Sequence, residues 1–230
     1  IVRQVEDIRR MVDEFSSIVR QVEDIRRMVD EFSSFARMPK PSLAREDIVE
    51  TVRQIVFLWR VGNPETTIAE VLPDEAVPAR FDRRLISQAL TNVIKNATEA
   101  IEAVPAEERG QGRIDVQMAR LDDGRIVIDV IDNGKGLPAD QRQKLLEPYM
   151  TTREGGTGLG LAIVGKILED HGGGIELLDR PDAASGARGA RIRLWFPETG
   201  PAQDAEGSDA AGQPENSSRN TDDGKNGIRL

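Results

Sequence analysis

Ile1, Val5, Ile8, Val12 and Phe15 step by four, three, four and three through an otherwise polar stretch. That heptad-like seam predicts an amphipathic helix that pairs with another helix. Residues 1–17 then recur unchanged as residues 18–34. Natural repeats diverge while keeping their pattern, so identity at every position marks a recent or artificial duplication. Across the join, Phe15 and Ile18 are three apart where four is due. A continuous helix would absorb this as a stammer with local overwinding. A hairpin at Ser16 and Ser17 would lack the usual glycine or proline signal. Glu6 with Arg10, and Glu23 with Arg27, form i,i+4 pairs on the wet face. Pro39, Pro41 and Ser42 then break the helix.

Beyond the break the periods alternate between helix and strand. Ile48, Val52, Ile55 and Val56 predict a second helix, and residues 66–72 and 76–81 two short strands. Asp82 can cap a third helix with the apolar face Leu85, Ile86, Ala89, Leu90, Val93, Ile94 and Ala97. Ile114, Val116 and Met118 alternate as in a strand covered on one side, and 125–131 is a fuller apolar strand. Leu161, Val164, Ile167 and Leu168 return to helical spacing, and strands at 174–178 and 190–196 close the series. From Gly200 the chain is rich in Gly, Asp, Asn and Ser, and disorder is expected there. The divisions are a helical stalk at 1–40, a folded domain of helices and strands at 41–199 and a tail at 200–230.

Composition narrows the function classes. Apolar residues at 38% can build a core, while aromatics at 4% leave it to aliphatic side chains. A net charge of -9 argues against nucleic acid and against anionic membranes as partners. The absence of cysteine excludes disulfides and thiolate metal sites, and fits a reducing, cytoplasmic compartment. No apolar run approaches the roughly 20 residues of a membrane span. The start at Ile1 suggests a fragment, so the parent protein could be anchored in an inner membrane by segments upstream.

Three motifs carry candidate chemistry. Asn92 and Asn96 lie one helical turn apart, opposite the apolar face, with Lys95 and Glu99 beside them. An amide oxygen from Asn96 suits magnesium, which takes hard oxygen ligands, and Lys95 suits a phosphate. Helix asparagines can also be merely solvated. Asp132 ends the strongest strand and leads into Asn133, Gly134, Lys135 and Gly136. A carboxylate there can accept from an adenine amine while glycines admit a flat base; the plainer reading is a β-turn. Gly155, Gly156, Gly158 and Gly160 open straight into a helix, where free amides form an anion site. The alternative is a flexible connector. Thr152 and Arg153, in the polar loop before it, would lie near phosphates. The only histidine, His171, precedes three glycines and reads as a helix C-terminus rather than a catalytic group.

With these residues, 44–197 resembles the catalytic and ATP-binding domain of two-component sensor histidine kinases. The resemblance rests on LTNVIKNATEA at 90–100, IDNGKGL at 131–137, LEPYMTTR at 146–153 and GTGLGLAIV at 156–164, in that order. The spelling is most similar to the NtrY/NtrB nitrogen-regulation group, and residues 18–41 resemble the second helix of its dimerisation domain. The resemblance implies an α/β two-layer sandwich, with a mixed sheet and helices on one face. It implies ATP and magnesium as cofactors, with Asn96 as the magnesium ligand and Asn92 at the phosphates. Asp132 would read adenine, while Gly134 and Gly136 shape its pocket. Gly156, Thr157, Gly158, Leu159, Gly160 and Leu161 would line the triphosphate under a mobile lid.

Related ATPases carry a water-activating glutamate where Asn92 stands, so phosphoryl transfer is expected over hydrolysis. The implied partners are a response-regulator receiver domain and a second copy bound through the N-terminal helices. The family's histidine-bearing helix is not in this chain, so no phosphorylation in cis is expected. Two rival readings are an ATPase of the same fold and a noncatalytic dimerisation module.

Overall fold

The computed structural model describes residues 2–138, 140, 142–151, 156–182 and 186–201. Helix α1, Val2–Ala36, runs unbroken through Ser16 and Ser17, so the duplicated sequence is one helix of about 50 Å. It stops before Pro39, where the ring would clash with the preceding turn. Met11, Phe15, Ile18, Val22, Ile25 and Val29 are exposed along it.

The rest folds as an open mixed sheet under three helices. Strand β1, Ala44–Asp47, leads into helix α2, Ile48–Gly62. Strands β2, Thr66–Val71, and β3, Pro78–Phe81, precede helix α3, Arg83–Glu102. Strands β4, Gly112–Arg120, and β5, Arg125–Asp132, form a hairpin. A 3-10 turn at Arg142–Leu146, helix α4 at Gly160–Asp170, and strands β6, Gly174–Asp179, and β7, Ala190–Pro197, complete the order. The main sheet runs β2-β4-β5-β7-β6, parallel between β2 and β4 and antiparallel elsewhere. A separate antiparallel pair joins β1 to β3.

Side-chain alternation explains the two layers. Val116, Val130 and Ile192 stand in one cross-strand row, and Met118, Ile128 and Leu194 in the next. All six are buried against the helices, with Leu90, Val93, Ile94, Val164 and Ile167 facing them. The other parity carries polar groups. Arg193 donates to both oxygens of Asp129, Nε at 2.8 Å and Nη2 at 2.9 Å, across β7 and β5. The same parity that buries Ile126, Ile128 and Val130 carries Asp132 onto the helix face, at the end of β5.

Helix ends follow their caps. Asp47 accepts from Val49 N–H at the start of α2, and Asp82 from Leu85 N–H at the start of α3. The strand β1 was not expected, because Ala44–Asp47 has no apolar alternation; its register comes from pairing with β3. The 3-10 turn is likewise unsignalled by periodicity, and none of its residues is fully buried.

Candidate functional site

A cavity of about 250 Å³ opens between α3, the ends of β5 and β7, residues 150–151 and 156–158, and α4. The helix α3 buries its apolar face in the core, so Asn92, Lys95 and Asn96 stand on the cavity side. Asn92 Nδ2 donates to the Gly160 carbonyl at 3.4 Å, a long bond. A Cβ built on Gly160 would lie 3.9 Å from Asn96 Nδ2, so the second asparagine borders the same glycine. Lys95 Nζ lies 3.9 Å from Glu99 Oε1, and both line the cavity.

Asp132 is buried at the opposite wall. Its Oδ1 accepts from Gly134 N–H at 2.8 Å and from Ala190 N–H at 3.3 Å. Two backbone donors therefore fix the orientation of the carboxylate. Leu137, Ile163 and Ile192 supply apolar walls nearby, the composition expected of a pocket that takes a flat ring.

The glycines divide by position. Gly136, Gly156, Gly158 and Gly160 line the cavity with Thr157 and Leu161. Gly158 has φ 69°, and a Cβ there would meet the Tyr149 carbonyl carbon at 2.6 Å. Its carbonyl accepts from Tyr149 N–H at 3.1 Å, pinning the two sides of the loop together. Tyr149 itself has φ 68° and stacks on Phe32 of α1, with centroids 6.4 Å apart. Gly134 and Leu159 do not line the cavity. Gly134 packs on the end of α3, while Leu159 is buried in the core ahead of α4. The N-cap of α4, Leu159, makes no side-chain cap hydrogen bond, and the first turn begins at Gly160 beside the cavity. Thr152, Arg153 and Gly155 lie outside the described residues, as do residues 202–230 of the expected tail.

Residues outside the three motifs also contribute. Gln88, Met150, Thr151 and Ala190 line the cavity. Gln88 sits one turn before Asn92 and was recoverable from helical spacing. Ala190 was not, because only the β5–β7 pairing brings it to Asp132.

His171 stands apart from the cavity. It is fully buried, with Nδ1 2.6 Å from the Ile167 carbonyl and Nε2 accepting from Asp82 N–H at 3.0 Å. Burial pushes its pKa below the ordinary histidine value, outweighing the Ile167 carbonyl and the Asp82 and Asp170 carboxylates, which act the other way. A buried, neutral imidazole committed at both nitrogens suits a structural tie, as its place at a helix end suggested.

A mixed sheet under helices, with a buried strand-end carboxylate and a glycine loop opening a helix, defines a nucleotide-binding α/β domain of the kinase–gyrase type. The chain belongs to the histidine kinase-, DNA gyrase B-, and HSP90-like ATPase family, whose model matches residues 81–200. It is 60% identical over 211 residues to the nitrogen regulation protein NtrY of Azorhizobium caulinodans, covering 92% of this chain and 24% of that protein. It spans about a quarter of the length of the curated relatives it matches.

Among solved structures, the catalytic domain of the histidine kinase ThkA aligns with TM-score 0.58 and 26% identity, over 69% of this chain and 97% of that one. Full-length ShkA in complex with AMPPNP aligns with TM-score 0.65 and 26% identity, over 82% and 39%. The expected fold class is thereby met, and the chain carries the ATP-binding catalytic domain of a sensor histidine kinase of the NtrY type. Among the described residues, no helix is long and apolar enough to cross a membrane.

Proposed function

We propose that the cavity binds ATP and that the chain transfers the γ-phosphoryl group to a histidine supplied in trans, for relay to a response-regulator receiver domain. The observation that carries this reading is the convergence of Asp132, Asn92, Asn96 and the glycine loop on one cavity. The adenine amine donates to Asp132, and the ring lies against Leu137, Ile163 and Ile192. The phosphates reach Asn92, Lys95 and the amides from Gly156 to Leu161. The β–γ bridging bond breaks toward ADP as the phosphorus–nitrogen bond forms on the acceptor ring.

Asn96 fits magnesium. Its amide offers a hard oxygen beside Gly160, and among the described residues no group of three or more His, Cys, Asp or Glu side chains competes for the ion. Phosphate oxygens and water would complete the shell, and the bound ion would neutralise phosphate charge. Asn92 has no basic carboxylate with which to activate water, which favours transfer over hydrolysis. His171, the only histidine, is fully buried and unsuited to accept the phosphoryl group. The exposed seam of α1 pairs with a second copy, and the domain works in the cytoplasm beneath a parent protein anchored in the inner membrane.

The test is incubation with γ-labelled ATP, magnesium and a separate helical domain bearing a sensor kinase's acceptor histidine. Acid-labile label on that domain is expected. Free labelled phosphate alone would favour the ATPase reading, and no turnover of any kind a noncatalytic module.

A further inference from the structure

The two helices that carry the site are tied twice, once at each end of their contact. At the cavity, Asn92 Nδ2 reaches the Gly160 carbonyl and Asn96 borders the same residue. At the far end, His171 follows α4 and binds the N-cap of α3 through Asp82 N–H, 89 positions away in sequence. An amide only donates and a carbonyl only accepts, so Nδ1 carries the proton and Nε2 the lone pair. Asp82 collects three further constraints. Its Oδ1 accepts from Leu85 N–H at 3.1 Å, its Oδ2 accepts from Ser42 N–H at 2.9 Å, and Arg84 lies 3.7 Å away. The imidazole is also seated edge-on against Phe196 of β7, with centroids 6.2 Å apart.

An apolar side chain at this place would pack without specifying register. It would also leave the Asp82 N–H buried without an acceptor, which is destabilising. The imidazole instead holds both helices at once. A slip of α4 by one residue, about 1.5 Å along its axis, would break the Asp82 bond and shift the loop amides by the same amount.

We propose that His171 is a positioning residue of the nucleotide site, fixing α4 against α3 so that the glycine-loop amides stand at a set distance from Asn92 and Asn96. This rests on the nucleotide reading of the cavity. The effect is selective by geometry. The loop amides serve the phosphates, whereas Asp132 is held by Gly134 of the β5 turn and Ala190 of β7. Loss of His171 therefore disturbs triphosphate binding more than base binding, which meets α4 only through Ile163.

The test compares AMPPNP with adenosine by calorimetry, well below the unfolding temperature of each variant. His171→Phe fills the space without the polar contacts. His171→Asn can still donate to Ile167 but is too short to reach Asp82. Val116→Ala destabilises the core away from this junction. We expect AMPPNP affinity to fall about tenfold in both His171 variants with a clearly smaller loss for adenosine, and Val116→Ala to bind both as the parent does. Equal losses for the two ligands, or an unchanged AMPPNP affinity in either folded His171 variant, would overturn the positioning role. Failure of the parent to bind AMPPNP would instead defeat the nucleotide reading beneath it. Should His171→Phe not fold, His171→Asn carries the comparison alone.

Discussion

Gly134 donates its N–H to Asp132 Oδ1 at 2.8 Å while its own Cα is pressed against the C-terminal turn of α3. One short turn thus fixes the carboxylate proposed to read the base and ties it to the helix that bears the asparagines. Lys135 N–H, bonded to the Ala100 carbonyl at 3.0 Å, repeats the tie one residue later.

The first consequence concerns Asp132. Replacing it with asparagine keeps the shape and the oxygen that Gly134 and Ala190 need, but removes the charge. Hydrogen bonds to a charged group are worth about 1.5–3 kcal/mol. Asp132→Asn is expected to weaken AMPPNP binding by roughly tenfold to a hundredfold, with a melting temperature near that of the parent. Calorimetric titration decides it, and unchanged affinity would remove Asp132 from the base pocket.

Asn96→Ala separates the metal from the fold. Its loss is expected to reduce AMPPNP affinity mainly in the presence of magnesium, leaving the metal-free affinity close to the parent value. Equal losses with and without magnesium would assign Asn96 a general structural part instead.

Gly134→Ala tests the close approach. The added Cβ would lie 2.5 Å from the Ala100 carbonyl carbon and 2.7 Å from Ile101 N, both backbone atoms that cannot rotate away. Overpacking of this kind costs roughly 1–3 kcal/mol. Gly110→Ala, where a Cβ meets nothing within 4 Å, serves as the control and should be close to neutral. Denaturant unfolding of the two variants compares them directly, and equal stabilities would contradict the packing described.

His171 and Asp82 give stability two separate pH windows. The folded pKa of His171 lies below its unfolded value, so the unfolded chain binds the extra proton first. Its contribution is fully present above the ordinary histidine value of about 6.5 and is lost as the pH falls below it. Protonation would set an Nε2–H against the Asp82 N–H; the Asp82 and Asp170 carboxylates moderate this without reversing it. For Asp82, burial opposes ionisation, but the Ser42 and Leu85 amides and Arg84 outweigh it and hold the pKa below the usual carboxylate range. Its contribution persists above about pH 4 and is lost only below. Parent stability should therefore fall between pH 7.5 and 5.5, and His171→Phe should flatten that interval. The same slope in both proteins would exclude His171 as its source.

Local periodicity made much of this legible in the sequence. The face from Leu85 to Ala97 specified both the buried side of α3 and, by exclusion, the side on which Asn92 and Asn96 stand. Alternation at Ile114, Val116 and Met118 did the same for β4. What escaped depends on contacts between distant segments. Ala44–Asp47 is a strand only because Pro78–Phe81 lies beside it. Gly134 read as room for a base, whereas the structure sets it against α3, because no spacing rule reports which helix end will lie behind a turn. The bond from Asp82 N–H to His171 had no local sign at all, although each residue was placed correctly at a helix end.

The most direct measurement is titration of the chain with AMPPNP, with and without magnesium, by calorimetry. Saturable binding at one site per chain, strengthened by magnesium, is the result this account predicts. Folded protein that binds no nucleotide under either condition would contradict it and leave an interaction module on an ATPase fold.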